Sequence, residues 1–339
     1  MPISPLAVTI PAPMSNASAS TESTVLPYEP VPAPTSRRTT FLLLLLVGLN
    51  LMNYVDRYNL PPVADPIRAE FGVSSQQIGW LATGFLIVYM ITAPVFGVLA
   101  DRQSRWKLIG IGMLIQAAGT FCSGAASTFA MLMIARCIVG IGDAAYGPAA
   151  PTLIADLYPL EKRGRMMAWF YAALPVGSAI GYGVGGIMHT LTGGWRGGFY
   201  VIVLPMVALG VICLFLRDDR IGKIRKDSDD LHINDPPVRR SWRDYLPLLR
   251  NPSYLLNCAG MTAMTFAVGG MSYWMPTYLK AERGLSPAAA DLGFGGVIVV
   301  AGLAATLMGG WAGDKLKTRH PGSYFLVSGG SMLIAVPLF

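Results

Sequence analysis

The sequence predicts an all-α polytopic membrane protein, and three observations carry that prediction. Of its 339 residues 53% are hydrophobic and only 13% charged, about half the charge of an ordinary soluble domain, and the mean hydropathy is +0.48. Apolar segments near 20 residues recur along the chain, each long enough to cross a hydrocarbon core at about 1.5 Å per residue. The cations gather between those segments, mostly on one side of them. A chain this apolar cannot stay solvated and extended, so disorder over most of its length is excluded, and the low charge excludes a long coiled coil. The 38 glycines and 25 prolines lie largely within apolar runs, where membrane helices tolerate them.

Residues 1–36, rich in Pro, Ser, Thr and Ala, contain no apolar run long enough for a signal-peptide core and read as a disordered cytoplasmic tail. Ser36-Arg37-Arg38-Thr39-Thr40-Phe41 before Leu42 to Leu46 faintly resembles a twin-arginine export signal. The spacing differs and no small-residue cleavage site follows, so Arg37 and Arg38 are read as anchors of the first span. Spans are expected over 39–60, 75–100, 106–124, 129–157, 164–188, 197–216, 253–279 and 288–312. A ninth begins near Ser323 and is cut off at Phe339, which reads as a fragment's end.

With the tail in the cytoplasm, 20 of the 26 Lys and Arg residues fall on the cytoplasmic side and four, Arg68, Arg196, Lys280 and Arg283, on the other. That asymmetry sets the orientation by the positive-inside rule. It also accounts for the net charge of +7 as topology, without nucleic-acid binding. The loop 217–250, with nine cations, seven acids and Pro236-Pro237, separates six spans from the rest and reads as a cytoplasmic interdomain linker. Its end, 241–249, is either a segment lying flat on the membrane with Trp242 and Tyr245 buried or an ordinary pre-span anchor.

Catalytic and metal chemistry have little to stand on. Cys122, Cys137, Cys213 and Cys258 lie in apolar stretches without paired spacing, and His189, His232 and His320 are scattered. There is no nucleophile elbow, metal-spaced set or phosphate-binding glycine loop, so neither an enzyme nor a metal or other cofactor is expected.

The chain repeats itself. Gly97-Val98-Leu99-Ala100-Asp101-Arg102-Gln103-Ser104-Arg105-Trp106-Lys107 follows the second span, and Gly310-Trp311-Ala312-Gly313-Asp314-Lys315 follows the eighth, with Asp314 213 residues after Asp101. Repeated halves are how many secondary transporters build a site between two bundles. Segment 97–107 resembles the signature loop of the major facilitator superfamily, with Ser104 where that family usually has glycine. Arg136-Cys137-Ile138-Val139-Gly140-Ile141-Gly142-Asp143-Ala144-Ala145-Tyr146 resembles its fourth-span motif. That segment, Asn53-Tyr54-Val55-Asp56-Arg57, 150–157 and 170–178 are similar to the Spinster-like branch, which carries sphingolipids or lysolipids. The resemblance covers about 40–339. It implies a major facilitator fold of two six-helix bundles rocking around a central cavity, here truncated within the ninth span. The domains would be an N-terminal bundle over 37–216, the linker over 217–250 and an incomplete C-terminal bundle over 251–339.

Four ionisable residues lie inside expected spans: Asp56, Arg57, Arg136 and Asp143. Each would cost about 3 kcal/mol at mid-bilayer, roughly 12 kcal/mol if unpaired and additive, more than the net stability of many domains. They must pair, face water or protonate. Arg136 and Asp143, seven residues apart, are about 20° from eclipsed and roughly 10 Å apart on one face. Counting inward from each surface puts Asp56 and Arg136 at similar depth, so Asp56 is expected to bridge to Arg136 with Arg57 and Asp143 close by. A carboxylate that loses its proton when paired and binds one when unpaired would couple protons to rocking; a static charge network is the alternative. The resemblance implies coupling, since these positions match the family's proposed protonation cluster, with Asp143 where the branch usually has glutamate.

Tyr146, Tyr171, Tyr273, Trp274 and Tyr278 are candidates to line a substrate cavity, against packing or interfacial roles. Arg57 and Arg136 would favour an anionic head group. Gly177, Gly181 and Gly185, and Ala301, Ala305, Gly309 and Gly313, form small-residue ridges for close helix packing. In the loops, Gly97 precedes an expected charge latch of Asp101 with Arg102 and Arg105, and of Asp156 with Arg163 and Arg165, recurring at Asp314. The expected function is proton-coupled secondary active transport of a small organic or lipid-like solute, with protons and membrane lipids as partners, from a plasma (inner) membrane. The rivals are a symporter of small organic anions or sugar acids and, from another class, a receptor or scaffold that does not transport.

Overall fold

The computed structural model describes residues 36–158, 160–218, 247, 249–317, 319–320, 322–335 and 337. The tail before Ser36 and most of the 217–250 loop, with the expectations placed on them, lie outside the described residues.

Every expected span coincides with helix. The chain runs α1 (Ser36–Asn59), a 3-10 turn (Pro61–Val63), α2 (Ala64–Phe71), α3 (Ser75–Arg102), α4 (Arg105–Gly124), α5 (Phe129–Ala144), α6 (Tyr146–Leu157), α7 (Leu160–Thr192) and α8 (Gly197–Phe215). After the loop come α9 (Pro252–Ala281), α10 (Pro287–Lys317) and α11 (Ser323–Ala335). Two features differ from expectation. Pro61 and Pro62 lack the N–H groups that would continue α1, so the chain turns into the short α2, which Gly72 closes at φ 62° with its N–H on the Arg68 carbonyl. The single span expected over 129–157 breaks at Ala145, because Pro148 and Pro151 cannot donate to the carbonyls four residues before them. At α3 the start is sharp: Ser74 and Gln77 bond each other's backbone N–H groups at 3.2 and 2.8 Å, a capping box.

Among the described residues six helices are long and apolar enough to cross a membrane. Within α4 the shortfall has a physical reason. It is an interior helix that carries the buried polar residues Gln116, Thr120 and Ser123 and packs between α5 and α8. The loop between α3 and α4 and residues 216–218 after α8 share one side with the start of α1, called here the basic side. The turn after α1, with α2 and the α9–α10 loop, lies on the far side.

The ridge on α7 is a close joint with α1. Cβ atoms built on Gly177, Gly181 and Gly185 would lie 2.8 Å from Tyr54 Cβ, 2.6 Å from the Val55 carbonyl oxygen and 2.7 Å from the Asn59 carbonyl oxygen, so the stripe faces α1. Because backbone cannot yield as a side chain can, Gly181→Ala is expected to cost about 1–3 kcal/mol, read as a lower melting temperature of the purified protein. The ridge expected on α10 does not pack this way among the described residues. A Cβ at Gly309 has no neighbour within 4 Å, whereas Gly295 and Gly302 meet Ala179 and Pro175 of α7 at 3.2 and 3.1 Å. The face of α10 that packs is thus one residue round from the one expected.

A far-side clamp ties three connections of the first six spans together. Arg196 grips Glu70 with both Nη atoms, at 2.9 and 2.6 Å, and reaches the Ala126 carbonyl at 3.0 Å; Trp195 Nε1 donates to the same carboxylate at 2.6 Å. The later helices meet the first six along a far-side seam. Tyr182 of α7 donates its hydroxyl to the Ser272 carbonyl of α9, and Tyr273 donates to the Ile78 carbonyl at 3.2 Å. The Tyr182 ring lies between Tyr58 and Phe294, with centroids 5.4 and 5.5 Å away.

Candidate functional site

A cavity of about 210 Å³ lies on the basic side of that seam, walled by Asn50, Asn53, Tyr54 and Arg57 of α1, Tyr89 of α3, Asp143, Tyr146, Gly147 and Pro151 of α5 and α6, and Phe170 and Tyr171 of α7. Helical periodicity on α1 explains its wall, since positions 50, 53, 54 and 57 share one face. Asp56 falls on another face and is fully buried behind the cavity.

The four span charges form two acid–base pairs. Arg136 Nη1 lies 3.5 Å from Asp56 Oδ1, both side chains being at most 2% exposed, and Arg57 Nη2 bonds Asp143 Oδ2. At an effective dielectric near 20, unit charges about 4 Å apart attract by about 4 kcal/mol, comparable to the insertion cost of one of them. The pairs differ in their access to water. The Arg57 side chain is 33% exposed and Asp143 6%, and both line the cavity. Asp56 is sealed by α4 instead: Thr120 Oγ1 donates to its Oδ1 at 2.9 Å and Gln116 Nε2 to its Oδ2 at 3.5 Å. Aromatic faces complete both sites. The Arg57 guanidinium lies 5.0 Å from the Phe85 centroid, 5.6 Å from Tyr54 and 5.9 Å from Tyr89, and the Arg136 guanidinium lies 5.7 Å from Phe85. Several polar atoms at the site keep no hydrogen-bond partner among the described residues, namely both amide atoms of Asn53, Arg57 Nε, and Arg136 Nε and Nη1. Among the described residues no group of His, Cys, Asp or Glu is arranged to hold a metal ion.

The candidate aromatics divide. Tyr146 and Tyr171 line the cavity, Tyr146 anchored by its hydroxyl on the Leu46 carbonyl at 2.5 Å. Tyr273, Trp274 and Tyr278 do not line it, which corrects the expectation. Tyr273 and Trp274 pack into the seam, Trp274 Cζ2 lying 3.6 Å from a Cβ built on Gly79, and Tyr278 stands 43% exposed near the end of α9 under Arg283. The apolar bodies of Tyr273 and Trp274 join helices.

On the basic side the expected pairing is rearranged. Arg105, 2% exposed, takes Asp156 at 2.7 Å and grips both oxygens of Asp218 at 3.1 Å, while its backbone N–H bonds the same carboxylate at 3.0 Å. Asp156 therefore takes Arg105 rather than Arg163, whose Nε donates to the Tyr158 carbonyl at 2.9 Å. Asp101, Arg102 and Arg165 are exposed near these helix ends, a Cβ built on Gly97 would make only ordinary contact with Pro148 Cβ at 3.9 Å, and the Asp314 side chain lies outside the described residues.

Sequence reasoning missed Gln116, Thr120, Asn50, Phe85 and Asp218. A signal existed for the first two, polar residues four apart in an apolar run and so on one face of α4.

The family model of the Major Facilitator Superfamily matches residues 46–339. The chain belongs to the major facilitator superfamily. Within it, the chain is 31% identical over 309 residues to Protein spinster of Drosophila melanogaster, covering 89% of this chain and 50% of that one. It is 35% identical over 253 residues to Protein spinster homolog 1 of Homo sapiens, covering 73% and 47%. The chain thus spans about half the length of the curated relatives it matches. Its fold is similar to the crystal structure of a bacterial homologue of the human lysosomal transporter Spinster, in an inward-facing and unoccupied conformation. The TM-score is 0.68 at 21% identity, covering 85% of this chain and 65% of that one. The paired charges stand on α1 and α5, with α3, α4 and α7 packed around them, and the cavity opens beside them.

Proposed function

We propose that this superfamily member is a proton-coupled secondary active transporter of an amphiphilic or anionic organic solute such as a lysolipid, working by alternating access. The observation that carries the reading is the placing of one acid–base pair on the cavity wall and a second, sealed pair directly behind it. A proton arriving through the cavity meets Asp143 first. Neutralising that carboxylate releases Arg57, whose Nε has no hydrogen-bond partner among the described residues, to bind an anionic group of the solute. The amides of Asn50 and Asn53 beside the faces of Tyr54, Tyr89, Phe170 and Tyr171 suit a molecule polar at one end and apolar at the other. Asp56 and Arg136 then act as the hinge charge on which the rearranged cavity rests. Asp101, Arg102, Arg105, Asp156, Arg163 and Arg165 would gate the cytoplasmic side. The excess of cations there supports a cytoplasmic amino terminus in a plasma (inner) membrane.

Likeness to proteins named Spinster, and to a homologue of one described as a lysosomal transporter, supports transport. The test is reconstitution of the full-length protein in liposomes with a fluorescent lysophospholipid or a labelled sugar acid. The expected result is lysophospholipid movement that a pH gradient accelerates; flux indifferent to the gradient refutes the coupling. Movement of the sugar acid alone would instead favour the small-anion reading, and no flux of either would favour a receptor.

A further inference from the structure

The far-side seam holds a second group of charges that the cavity does not use. Asp291, near the start of α10, is 1% exposed; its Oδ1 lies 3.0 Å from Lys280 Nζ at the end of α9. Its Oδ2 has no hydrogen-bond partner among the described residues and points at α7, where a Cβ built on Gly186 would lie 2.8 Å from it. Lys280 Nζ also donates to the Pro62 carbonyl at 3.1 Å, in the turn after α1. A single ammonium, 15% exposed, therefore joins a carboxylate of the later helices to the backbone of the first six spans. The other titratable groups facing Asp291 are His189 and Tyr182 of α7 and Asp65 of α2, and His189 Nδ1 is itself without a hydrogen-bond partner among the described residues.

We propose that Asp291 is a second proton-binding site, served from the far side, and that its protonation opens the seam. The step is a proton transfer from far-side water to Asp291 Oδ2. While Asp291 is charged it compensates the buried ammonium, and the hydrogen bond to Pro62 comes with the pair. Once Asp291 is neutral, Lys280 has lost the carboxylate it touches, and its ammonium is better solvated in water than by the Pro62 carbonyl. Its departure takes away the bond to Pro62. The seam then depends on the Tyr182 and Tyr273 hydroxyls, which are neutral bonds of about half the strength of a charge-assisted one. A proton bound on the far side would thus favour the conformation that admits far-side water. The site is separate from Asp56 and Asp143, and its readout is seam opening rather than transport, so it stands or falls apart from the coupling proposed for them.

The experiment uses the full-length protein with its native cysteines replaced by alanine and Ser272→Cys as a reporter in the seam. A membrane-impermeant maleimide is added from the far side of oriented vesicles, and labelling is normalised to the unfolded protein at each pH. Labelling is expected to rise by about fivefold or more between about pH 8 and about pH 5. With Asp291→Asn it is expected to be high at both values, and His189→Gln is expected to keep the unmodified pH profile. Labelling of the reporter protein that is the same at both pH values overturns the proposal, as does an unchanged profile in Asp291→Asn or a profile lost in His189→Gln. Should Asp291→Asn fail to fold, Lys280→Gln decides in its place: constant high labelling supports the latch, and an unchanged profile overturns it.

Discussion

Asp56→Asn is expected to destabilise the protein by about 3–5 kcal/mol, the cost of removing one partner of a buried ion pair. Asparagine keeps the shape, so Thr120 can still donate to it, and what changes is the charge. Arg136, 2% exposed, would lose the carboxylate that its Nη1 faces, and its Nε already has no hydrogen-bond partner among the described residues. A guanidinium cannot escape by losing a proton. The reciprocal change is gentler. In Arg136→Gln the Asp56 carboxylate keeps the Thr120 and Gln116 donors, so the cost is smaller. Melting temperatures of both variants test this asymmetry, and equal losses would mean that the pair is not the stabilising contact its geometry indicates. The double variant Asp56→Asn with Arg136→Gln is expected to be more stable than Asp56→Asn alone, since it leaves no buried charge.

That pair is legible in the sequence alone. Charges are costly enough in hydrocarbon that two acids and two bases in spans have few options, and counting residues inward puts Asp56 and Arg136 at one depth. The spans are legible for a similar reason, as a bilayer imposes a length that hydropathy reports directly. Other features leave weaker traces. The eight-residue α2 is too short for a periodic signal, and the Pro61-Pro62 pair that ends α1 announces a turn but not the helix beyond it. Asp218 is tied to Arg105 across 113 residues, and nothing local marks a loop aspartate as that partner. Tyr273 and Trp274 fail as cavity residues because composition says that an aromatic residue is in a span but not which helix it will touch. The direction of the small-residue ridges is right on α7 and off by one residue on α10, where a lipid-facing side and a packing side are both glycine-rich and alanine-rich.

Asp143→Asn is expected to uncouple solute movement from the pH gradient while leaving exchange of solute across the membrane in place. One proton carried per solute across one pH unit supplies about 1.4 kcal/mol, enough for about tenfold accumulation, and the asparagine variant should fall to no accumulation at all. The reason lies in the geometry. Asp143 is the carboxylate on the cavity wall, whereas Asp56 sits behind it with no exposed surface, so a proton entering from the cavity encounters Asp143 first. Asparagine at 143 mimics the protonated state permanently, leaving Arg57 available to the solute whatever the pH. Exchange, which needs the cavity to reorient loaded and never empty, has no step that requires the proton to leave. Measured in the same vesicles, gradient-driven accumulation and solute-for-solute exchange therefore separate the two roles. Loss of both would make Asp143 a structural support of Arg57 instead, and retention of tenfold accumulation would move the coupling to Asp56, whose sealed position would then have to open to water during the cycle.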